Sequence, residues 1–337
     1  MKKGVTIKDI ANKLNMSFST VSKALNNDKS ISAFTKQRVH RLAAEWQYVP
    51  NESARHFKLN KSFTIGLIIP TLLDQFYVLA INGVESEAEK EKYNVILSQT
   101  GEEVANEERI SNVMIRNRVD GVIVAITKNT ANMLHFEKLV SIGIPVVCIA
   151  REPASPSFYY VSSDNFEGAY KATAFLIKKG HRRIAHLMGP ASMGTAQVRL
   201  AGYKQALEKN RLAIDPHLIK VVDFTEQSTV GAMKELMKLQ NPPSGIFSFK
   251  NYINLDAIAF LKKKYLDRLG SIDFVGFGNL PLLQYLDHKP IASIEESSYE
   301  MGEAAADLLF RMIKAESIDL ADVKQQIQIP CKLVVHK

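Results

Sequence analysis

The chain of 337 residues is 46% hydrophobic and 23% charged, a composition typical of a folded protein of more than one domain and not of a disordered chain. Its formal net charge of +8 lies entirely in residues 1–61, where 12 Lys and Arg accompany four Asp and Glu. Charge confined to one end indicates a polyanionic partner, and nucleic acid is the usual one for a compact basic segment.

The first helical pattern covers residues 6–14. Apolar side chains recur there at helical spacing, at Val5, Ile7, Ile10, Ala11 and Leu14. Thr6 occupies the N-cap position, and Asp9 lies three residues later, where an acid is favourable in the first turn of a helix. The pattern predicts a short amphipathic helix.

A second and a third helix are predicted after a tight turn. Asn15 tolerates the left-handed backbone that such a turn needs, and Ser17 can cap a helix that runs to Leu25. The outward face of this second helix carries Phe18, Ser19, Ser22 and Lys23. A third helix is predicted from about residue 32 to residue 46. Together these elements form a helix-turn-helix head over residues 1–49.

A short hinge follows this head at residues 50–61. Pro50 ends the preceding element because proline cannot continue a helix, and Asn51 or Ser53 can cap one further helix over residues 52–59. The composition of the segment stays basic to Lys61.

Three runs in this region resemble the head of the lactose/galactose repressor (LacI/GalR) family: residues 5–11, residues 19–26 and residues 48–51. The resemblance implies that Phe18, Ser19 and Lys23 face base edges in the major groove. It implies that Thr6, Ser17, Thr20, Ser22 and Asn26 contact phosphate or cap helices. Lys23 stands where many relatives have Arg. A lysine lacks the planar guanidinium that donates two hydrogen bonds to one guanine.

The same resemblance makes residues 51–59 a hinge helix that enters the minor groove. The implied contact residues are Asn51, Ala54, Arg55, Phe57 and Lys58. Phe57 stands where the family's usual wedge is Leu, and an aromatic ring can also unstack a base step. The alternative is that Phe57 is a plain hydrophobic staple within the hinge.

Beyond Lys61 the pattern changes to short apolar runs that alternate with helical stretches, which predicts an α/β fold with parallel sheets. The first series comprises strands at 64–69, 95–97, 121–125 and 146–149 with helices near 76–91, 104–118 and 132–142. The second series comprises strands at 184–187, 220–223, 245–248 and 273–276 with helices at 165–179, 196–209, 228–239 and 255–264. Two doubly wound lobes are therefore expected.

The family resemblance continues through this body and implies a ligand-binding and dimerisation core over residues 62–337, similar to periplasmic binding proteins. We expect a first lobe of about 62–163 and 291–325 and a second lobe of about 164–290 and 326–337. In this scheme the strand at 291–294 and the helix at 299–314 return to the first lobe. One last strand, near 327–334, completes the second.

Ligands bind such folds at the carboxyl ends of the strands, in the cleft between lobes. The implied ligand-binding residues are Phe76, Tyr77, Thr127, Arg151, Asp164, Arg199, Lys250 and Gly278. Lys250 and Gly278 depart from the family's usual pattern, because relatives commonly place acids near both positions. A pocket with surplus cations would suit a carboxylate or phosphate, and the expected effector is a sugar or an anionic sugar derivative. The alternative is that Lys250 points to solvent or pairs with Asp256.

No pattern of an enzyme, metal site or cofactor site stands out. Cys148 and Cys331 lack zinc spacing, and the glycine-containing segments lack the context of a dinucleotide or phosphate loop. We expect no catalytic residues, no cofactor and no metal. The absence of an apolar leader or a membrane-length run gives the expectation of a cytoplasmic protein without membrane contact.

The sequence thus predicts a transcriptional regulator, of carbohydrate-related genes and usually a repressor, that binds a near-palindromic operator as a homodimer and responds to a small-molecule effector. An enzyme or a solute-binding protein on the same body is the less favoured interpretation, because neither explains the basic head. A regulator whose core senses a partner protein is the other alternative.

Overall fold

The computed structural model describes residues 5–48, 61–153, 155–314 and 326–336. The chain divides into two compact units, residues 1–62 and residues 63–337. The predicted hinge helix, with Asn51, Ala54, Arg55, Phe57 and Lys58, lies outside the described residues.

The head contains the three predicted helices, α1 (Ile7–Leu14), α2 (Phe18–Leu25) and α3 (Ala33–Glu45). Thr6 and Asp9 cap α1 reciprocally: the Thr6 amide donates to the Asp9 carboxylate over 2.8 Å, and the Asp9 amide donates to the Thr6 hydroxyl over 3.3 Å. Asn15 has a left-handed φ of 53°, which confirms the predicted turn.

A small apolar core holds the three helices of the head together. Ile10, Val21, Ala24 and Val39 are completely buried, one or two from each helix. Trp46 and Tyr48 pack against the edge of this cluster. Because the inward face of α2 is used in this core, its other face is left exposed.

The first lobe of the core contains the strands β1 (Thr64–Ile69), β2 (Asn94–Gln99), β3 (Gly121–Val124), β4 (Val146–Ile149), β5 (Tyr159–Ser163) and β11 (Gln326–Ile329). They form one wholly parallel sheet with the order β11-β5-β4-β3-β1-β2. Its helices are α4 (Gln75–Lys90), α5 (Val104–Arg116), α6 (Leu134–Ser141) and α12 (Ser298–Lys314). Apolar clusters cover both faces, as expected for parallel strands.

The second lobe contains the strands β6 (Ile184–Met188), β7 (Ile219–Val221), β8 (Gly245–Ser248), β9 (Asp273–Phe277), β10 (Ala292–Glu295) and β12 (Lys332–Val335). They form one sheet with the order β12-β10-β9-β8-β6-β7, in which β12 is antiparallel to β10 and the other described pairs are parallel. Its helices are α7 (Asn165–Lys178), α8 (Gly194–Lys209), α9 (Glu226–Met237), α10 (Asn251–Lys264) and α11 (Leu266–Leu269). The two-lobed α/β prediction is confirmed.

Two lobe assignments from the sequence are wrong. The strand predicted at 291–294 does not return to the first lobe, because β10 pairs with β9 and β12 in the second sheet. The single strand predicted near 327–334 is two strands, β11 in the first sheet and β12 in the second. Pro330, which has no amide hydrogen for a ladder, lies in the break between them.

The lobes are therefore joined by three crossovers, at residues 163–165, 295–298 and 329–332. Hydrogen bonds connect these crossovers to one another. The Ser163 hydroxyl donates to the Glu296 carbonyl over 2.8 Å, and the Asp164 amide donates to the Ile329 carbonyl over 2.8 Å. The crossovers form the floor of a cleft that the carboxyl ends of both sheets face.

None of the helices in the described part of the chain has the length and apolar character needed to cross a membrane.

Candidate functional site

The outward face of α2 is the candidate nucleic-acid surface of the head. Phe18, Ser19 and Lys23 are exposed on it, and the Phe18 ring keeps 53% of its surface accessible. Val21 and Ala24 point the opposite way into the core and fix the orientation of the helix. An exposed apolar ring beside a free lysine can contact base edges, thymine methyl groups included.

Ser17 and Asn26, which were also expected to contact DNA, form hydrogen bonds at the two ends of α2. The Ser17 hydroxyl accepts from the Thr20 amide over 3.1 Å at the start of α2. Asn26 ends α2 and donates from its amide group to the Ser22 carbonyl over 2.9 Å. A helix N-terminus such as that of α2 can also bind phosphate oxygens through its first backbone amides.

The second candidate site is the cleft between the lobes of the core, which encloses a cavity of about 110 Å³. Aromatic side chains line it from both lobes: Phe76, Tyr77, Phe224, Phe249, Tyr252 and Phe277. Its charged side chains are Asp74, Glu102, Arg151, Arg199, Lys250, Glu295 and Glu296. Aromatic walls with a few polar groups are typical of a small-molecule site.

Arg151 of the first lobe is neutralised by Glu102. Its Nη2 donates to Glu102 over 2.6 Å, and its Nη1 donates to the other carboxylate oxygen over 2.9 Å and to the Ile126 carbonyl over 2.6 Å. Burial alone would raise the pKa of Glu102, but the hydrogen bonds and charge of Arg151 outweigh it and lower that pKa. The pair therefore presents an ionised carboxylate and a guanidinium side by side.

Arg199, on α8, is fixed by hydrogen bonds from all three nitrogens of its guanidinium. Nε donates to the Asn165 side chain over 2.8 Å, Nη2 donates to Glu296 over 2.7 Å, and Nη1 donates to the Phe249 carbonyl. The guanidinium carbon lies 3.4 Å from the centre of the Phe277 ring. Burial lowers the pKa of Arg199 and raises the pKa of Glu296. The pair is buried, and it is anchored at two of the three crossovers.

Lys250 pairs with Asp74 and not with Asp256. Its ammonium lies 3.5 Å from the Asp74 carboxylate, which belongs to the opposite lobe. The ammonium also lies 4.8 Å from the centre of the Phe224 ring and 5.5 Å from that of Tyr252. The suggested partner Asp256 is therefore wrong, and the pair instead spans the cleft.

Phe76, Tyr77 and Gly278 also line the cleft. The two rings meet edge to face with their centres 5.1 Å apart, and burial raises the pKa of Tyr77 to about 12. Gly278 has a φ of +90°, which disfavours any larger residue at this position. Its carbonyl accepts from the Asn251 side chain over 2.7 Å.

Two residues implied by the family resemblance do not reach the cleft. Thr127 is buried, and its amide donates to Glu107 over 2.8 Å. Asp164 caps α7 by accepting from the Glu167 amide over 3.0 Å. The remaining six, Phe76, Tyr77, Arg151, Arg199, Lys250 and Gly278, do line it.

The predicted surplus of cations in the pocket is wrong. Among the residues that the structure describes, four acids and three bases line the cleft, and each base has an acidic partner. Two of the acids that offset the bases, Asp74 and Glu102, come from the first lobe, whereas Lys250 and Gly278 belong to the second.

Several cleft residues were not predicted, although a general rule could have found them. Glu102, Phe249 and Phe277 stand at or just after the carboxyl ends of β2, β8 and β9, where parallel-sheet proteins bind ligands. Lys250 is the residue before α10, which begins four residues earlier than predicted. Asn251 and Asn254, in that first turn, do not line the cleft but are buried, and they are hydrogen-bonded to each other and to Ser248, Ser293 and the Gly278 carbonyl.

Across the described ranges, no cluster of three or more His, Cys, Asp and Glu residues is arranged to hold a metal ion.

Two family models match the chain. The model for bacterial regulatory proteins of the lacI family matches residues 6–51, and the model for a periplasmic binding protein domain matches residues 65–317. The HTH-type transcriptional repressor CytR of Escherichia coli K12 is 31% identical over 93% of this chain and 91% of its own length. The ribose operon repressor of Haemophilus influenzae is 28% identical over 92% of both chains.

Solved structures show the same architecture. A complex of the transcriptional regulator CelR with cellobiose superposes with a TM-score of 0.72 at 25% identity and covers 98% of both chains. A Lac repressor dimer bound to operator and an anti-inducer superposes with a TM-score of 0.83 at 22% identity, again over 98% of both chains.

Proposed function

Because the chain belongs to the LacI family of bacterial transcriptional regulators, we propose that it represses transcription by binding a near-palindromic operator as a homodimer, under the control of a small neutral polyol in the cleft. The observation that carries the effector class is the pairing of every cleft cation with an acid. The exposed face of α2 supports the DNA-binding part.

A neutral polyol suits this cleft for a chemical reason. A hydroxyl both donates and accepts hydrogen bonds, so it can contact an ionised carboxylate and a neighbouring guanidinium together. Such mixed pairs occur at Glu102–Arg151 and Glu296–Arg199. The aromatic walls then cover the apolar faces of the ligand. The names of the ribose operon repressor and of the CelR–cellobiose complex agree with a carbohydrate.

The size of the cleft supports a ligand of monosaccharide dimensions. Its cavity of about 110 Å³ is well below the range of about 300–1,000 Å³ that accommodates drug-sized ligands.

We predict that D-ribose binds at least about tenfold more tightly than ribose 5-phosphate, because a phosphate would meet four carboxylates and no unpaired cation in the cleft. Calorimetry with both compounds, and with glucose and cellobiose, measures this preference. Arg151→Met should abolish binding of whichever sugar binds the wild type. The matched control is Arg183→Met, which breaks a surface pair with Asp215 and should leave affinity unchanged. Tighter binding of the phosphorylated sugar would contradict the neutral-ligand proposal.

The DNA-binding part of the proposal is tested by selecting bound duplexes from a random library with the full-length protein. Enrichment of a two-fold symmetric site is expected, because two heads of a symmetric dimer contact equivalent half-sites. Selected sites without such symmetry would argue against the dimeric mode.

On the selected site, Lys23→Ala is expected to weaken binding by about 1–3 kcal/mol and to relax the base preference at one position of each half-site. The reason is the exposure of Lys23 on the face of α2 that carries Phe18 and Ser19. Lys13→Ala, in the last turn of α1, is the control and should weaken binding to all sequences alike. If Lys23→Ala lost the same affinity on selected and on random DNA, Lys23 would contact the phosphate backbone and not a base.

A further inference from the structure

The mouth of the cleft is bridged by side chains of the protein itself. Asp74 ends the loop before α4 of the first lobe, and Lys250 lies just before α10 of the second. Their charged groups are 3.5 Å apart. Beside them, the Tyr252 hydroxyl of the second lobe donates to the Leu73 carbonyl of the first over 3.3 Å. Two neighbouring contacts therefore join the lobes at a point away from the crossovers.

Both charged groups are positioned by their own lobes before they meet. One carboxylate oxygen of Asp74 accepts from the Phe76 amide over 3.1 Å and so caps α4, while the other faces Lys250. The Lys250 ammonium lies near the faces of Phe224 and Tyr252, which are favourable surroundings for a cation. Little side-chain entropy remains to be lost when the two groups pair.

The pair differs from the other charged pairs of the cleft in what it connects. Arg151 and Glu102 both belong to the first lobe, and Glu296 lies in a crossover that stays attached to both lobes as they move. Asp74 and Lys250 belong to different lobes, so opening of the cleft would separate them. Their interaction would then stabilise the closed arrangement of the lobes and not the open one.

We propose that Asp74 and Lys250 form a latch that holds the two lobes closed without a ligand, so that the protein sets its own balance between open and closed cores. This regulation rests on the proposed function, because it matters only if the cleft is the effector site. A ligand that binds the closed core gains affinity from the latch, since less of its binding free energy is spent on closing the lobes.

The expected strength of the latch follows from its exposure. The side chains of Lys250 and Asp74 keep 28% and 20% of their surface accessible, so the pair resembles a partly exposed ion pair. Such pairs shift an equilibrium by about 1.5- to 5-fold and weaken as salt screens them. The latch therefore shifts the equilibrium towards closed cores but does not abolish the open ones.

The test measures lobe separation in the full-length protein without ligand or DNA. Spin labels are placed on Asn129→Cys and Ala191→Cys, which are exposed loop positions in the first and second lobes, and labelled protein is diluted with unlabelled protein. Cys148 and Cys331 are buried, so the introduced thiols are labelled selectively. Pulsed electron resonance then gives the populations of open and closed cores.

Two variants remove the latch while preserving local structure. Asp74→Asn keeps a capping side chain for α4 but no charge, and Lys250→Met keeps the apolar stem near the two rings. Each should raise the ratio of open to closed cores about 1.5- to 5-fold, and the double variant should add little further. Lys220→Met is the matched control: it breaks a 2.6 Å pair with Glu235 inside the second lobe and should change nothing.

High salt should raise the open population of the wild type and leave that of the variants unchanged. Unaltered populations in both single variants, or effects that simply add in the double variant, would overturn the latch. Because no sugar and no DNA are present, this result stands apart from the tests of the proposed function. A protein that fails to bind ribose can still show the latch, and a protein without the latch can still bind ribose.

Discussion

Replacing Glu296 by Ala is expected to lower the free energy of unfolding of the core by about 3 kcal/mol, because it leaves the Arg199 guanidinium buried without its carboxylate. Arg199 is 4% exposed, and a guanidinium stays ionised at neutral pH. Because its hydrogen bonds to Asn165 and to the Phe249 carbonyl remain, the expected loss of unfolding free energy lies at the lower end of the range for broken buried ion pairs.

Arg199→Met should behave differently, because the remaining carboxyl can take up a proton. Burial already raises the pKa of Glu296, and loss of the arginine should raise that pKa further. A carboxyl whose folded pKa exceeds its unfolded value destabilises the fold as pH rises through that unfolded value. The loss in Arg199→Met is therefore expected to be smaller at pH 5 than at pH 8.

Urea unfolding followed by far-ultraviolet circular dichroism measures both losses. The chain has one tryptophan, Trp46, which lies in the head, so its fluorescence is an internal control that the substitutions should not alter. The double variant Arg199→Met/Glu296→Leu should be more stable than Glu296→Ala, because an apolar pair leaves no charge unpaired. A double variant as unstable as Glu296→Ala would show that the packing of these side chains, and not their charge, determines the loss.

The core is expected to lose about 3 kcal/mol of stability through His186 alone as the pH falls from 6.5 to 4. His186, in β6, is completely buried between the Phe247 and Tyr203 rings, whose centres lie 4.5 and 5.2 Å from its own. Its Nδ1 lies 3.0 Å from the Phe247 carbonyl, so this nitrogen carries the hydrogen and donates it. The other nitrogen, Nε2, is buried and has no hydrogen-bond partner among the described residues.

Protonation of Nε2 would bury a charge with nothing to accept its hydrogen. Burial, followed by the repulsion of Arg199, lowers the pKa of His186 to about 4. The unfolded chain takes up a proton near pH 6.5 and the folded chain only near pH 4, so stability is full above pH 6.5 and declines between these values.

His186→Gln keeps a donor for the Phe247 carbonyl but does not titrate. The pH dependence of unfolding between pH 6.5 and pH 4 should therefore be smaller in this variant than in the wild type, by about 3 kcal/mol. Carboxylates titrate in both proteins, and the comparison removes their contribution. Parallel stability curves for the two proteins would show that His186 is protonated in the folded core.

Hydrophobic periodicity and capping patterns in the sequence were enough to predict the head and the two lobes. The Thr6–Asp9 pair, the turn at Asn15 and the outward face of α2 were all predicted, because each depends on residues within one or two turns of helix. Buried parallel strands such as β1 and β4 were predicted with their observed bounds, since both faces of such strands are apolar.

The sequence by itself determined the order of the elements, the basic head and the family of the chain, because these depend on local pattern and on motifs a few residues long. Only the tertiary structure decided to which sheet β10 and β11 belong, because a buried parallel strand has the same pattern in either sheet. It also decided the charge of the cleft. Asp74 and Lys250 lie 176 residues apart in the sequence, and Glu102 and Arg151 lie 49 apart, so only the folded chain brings each acid to its base and neutralises the cations that the sequence had suggested were in surplus.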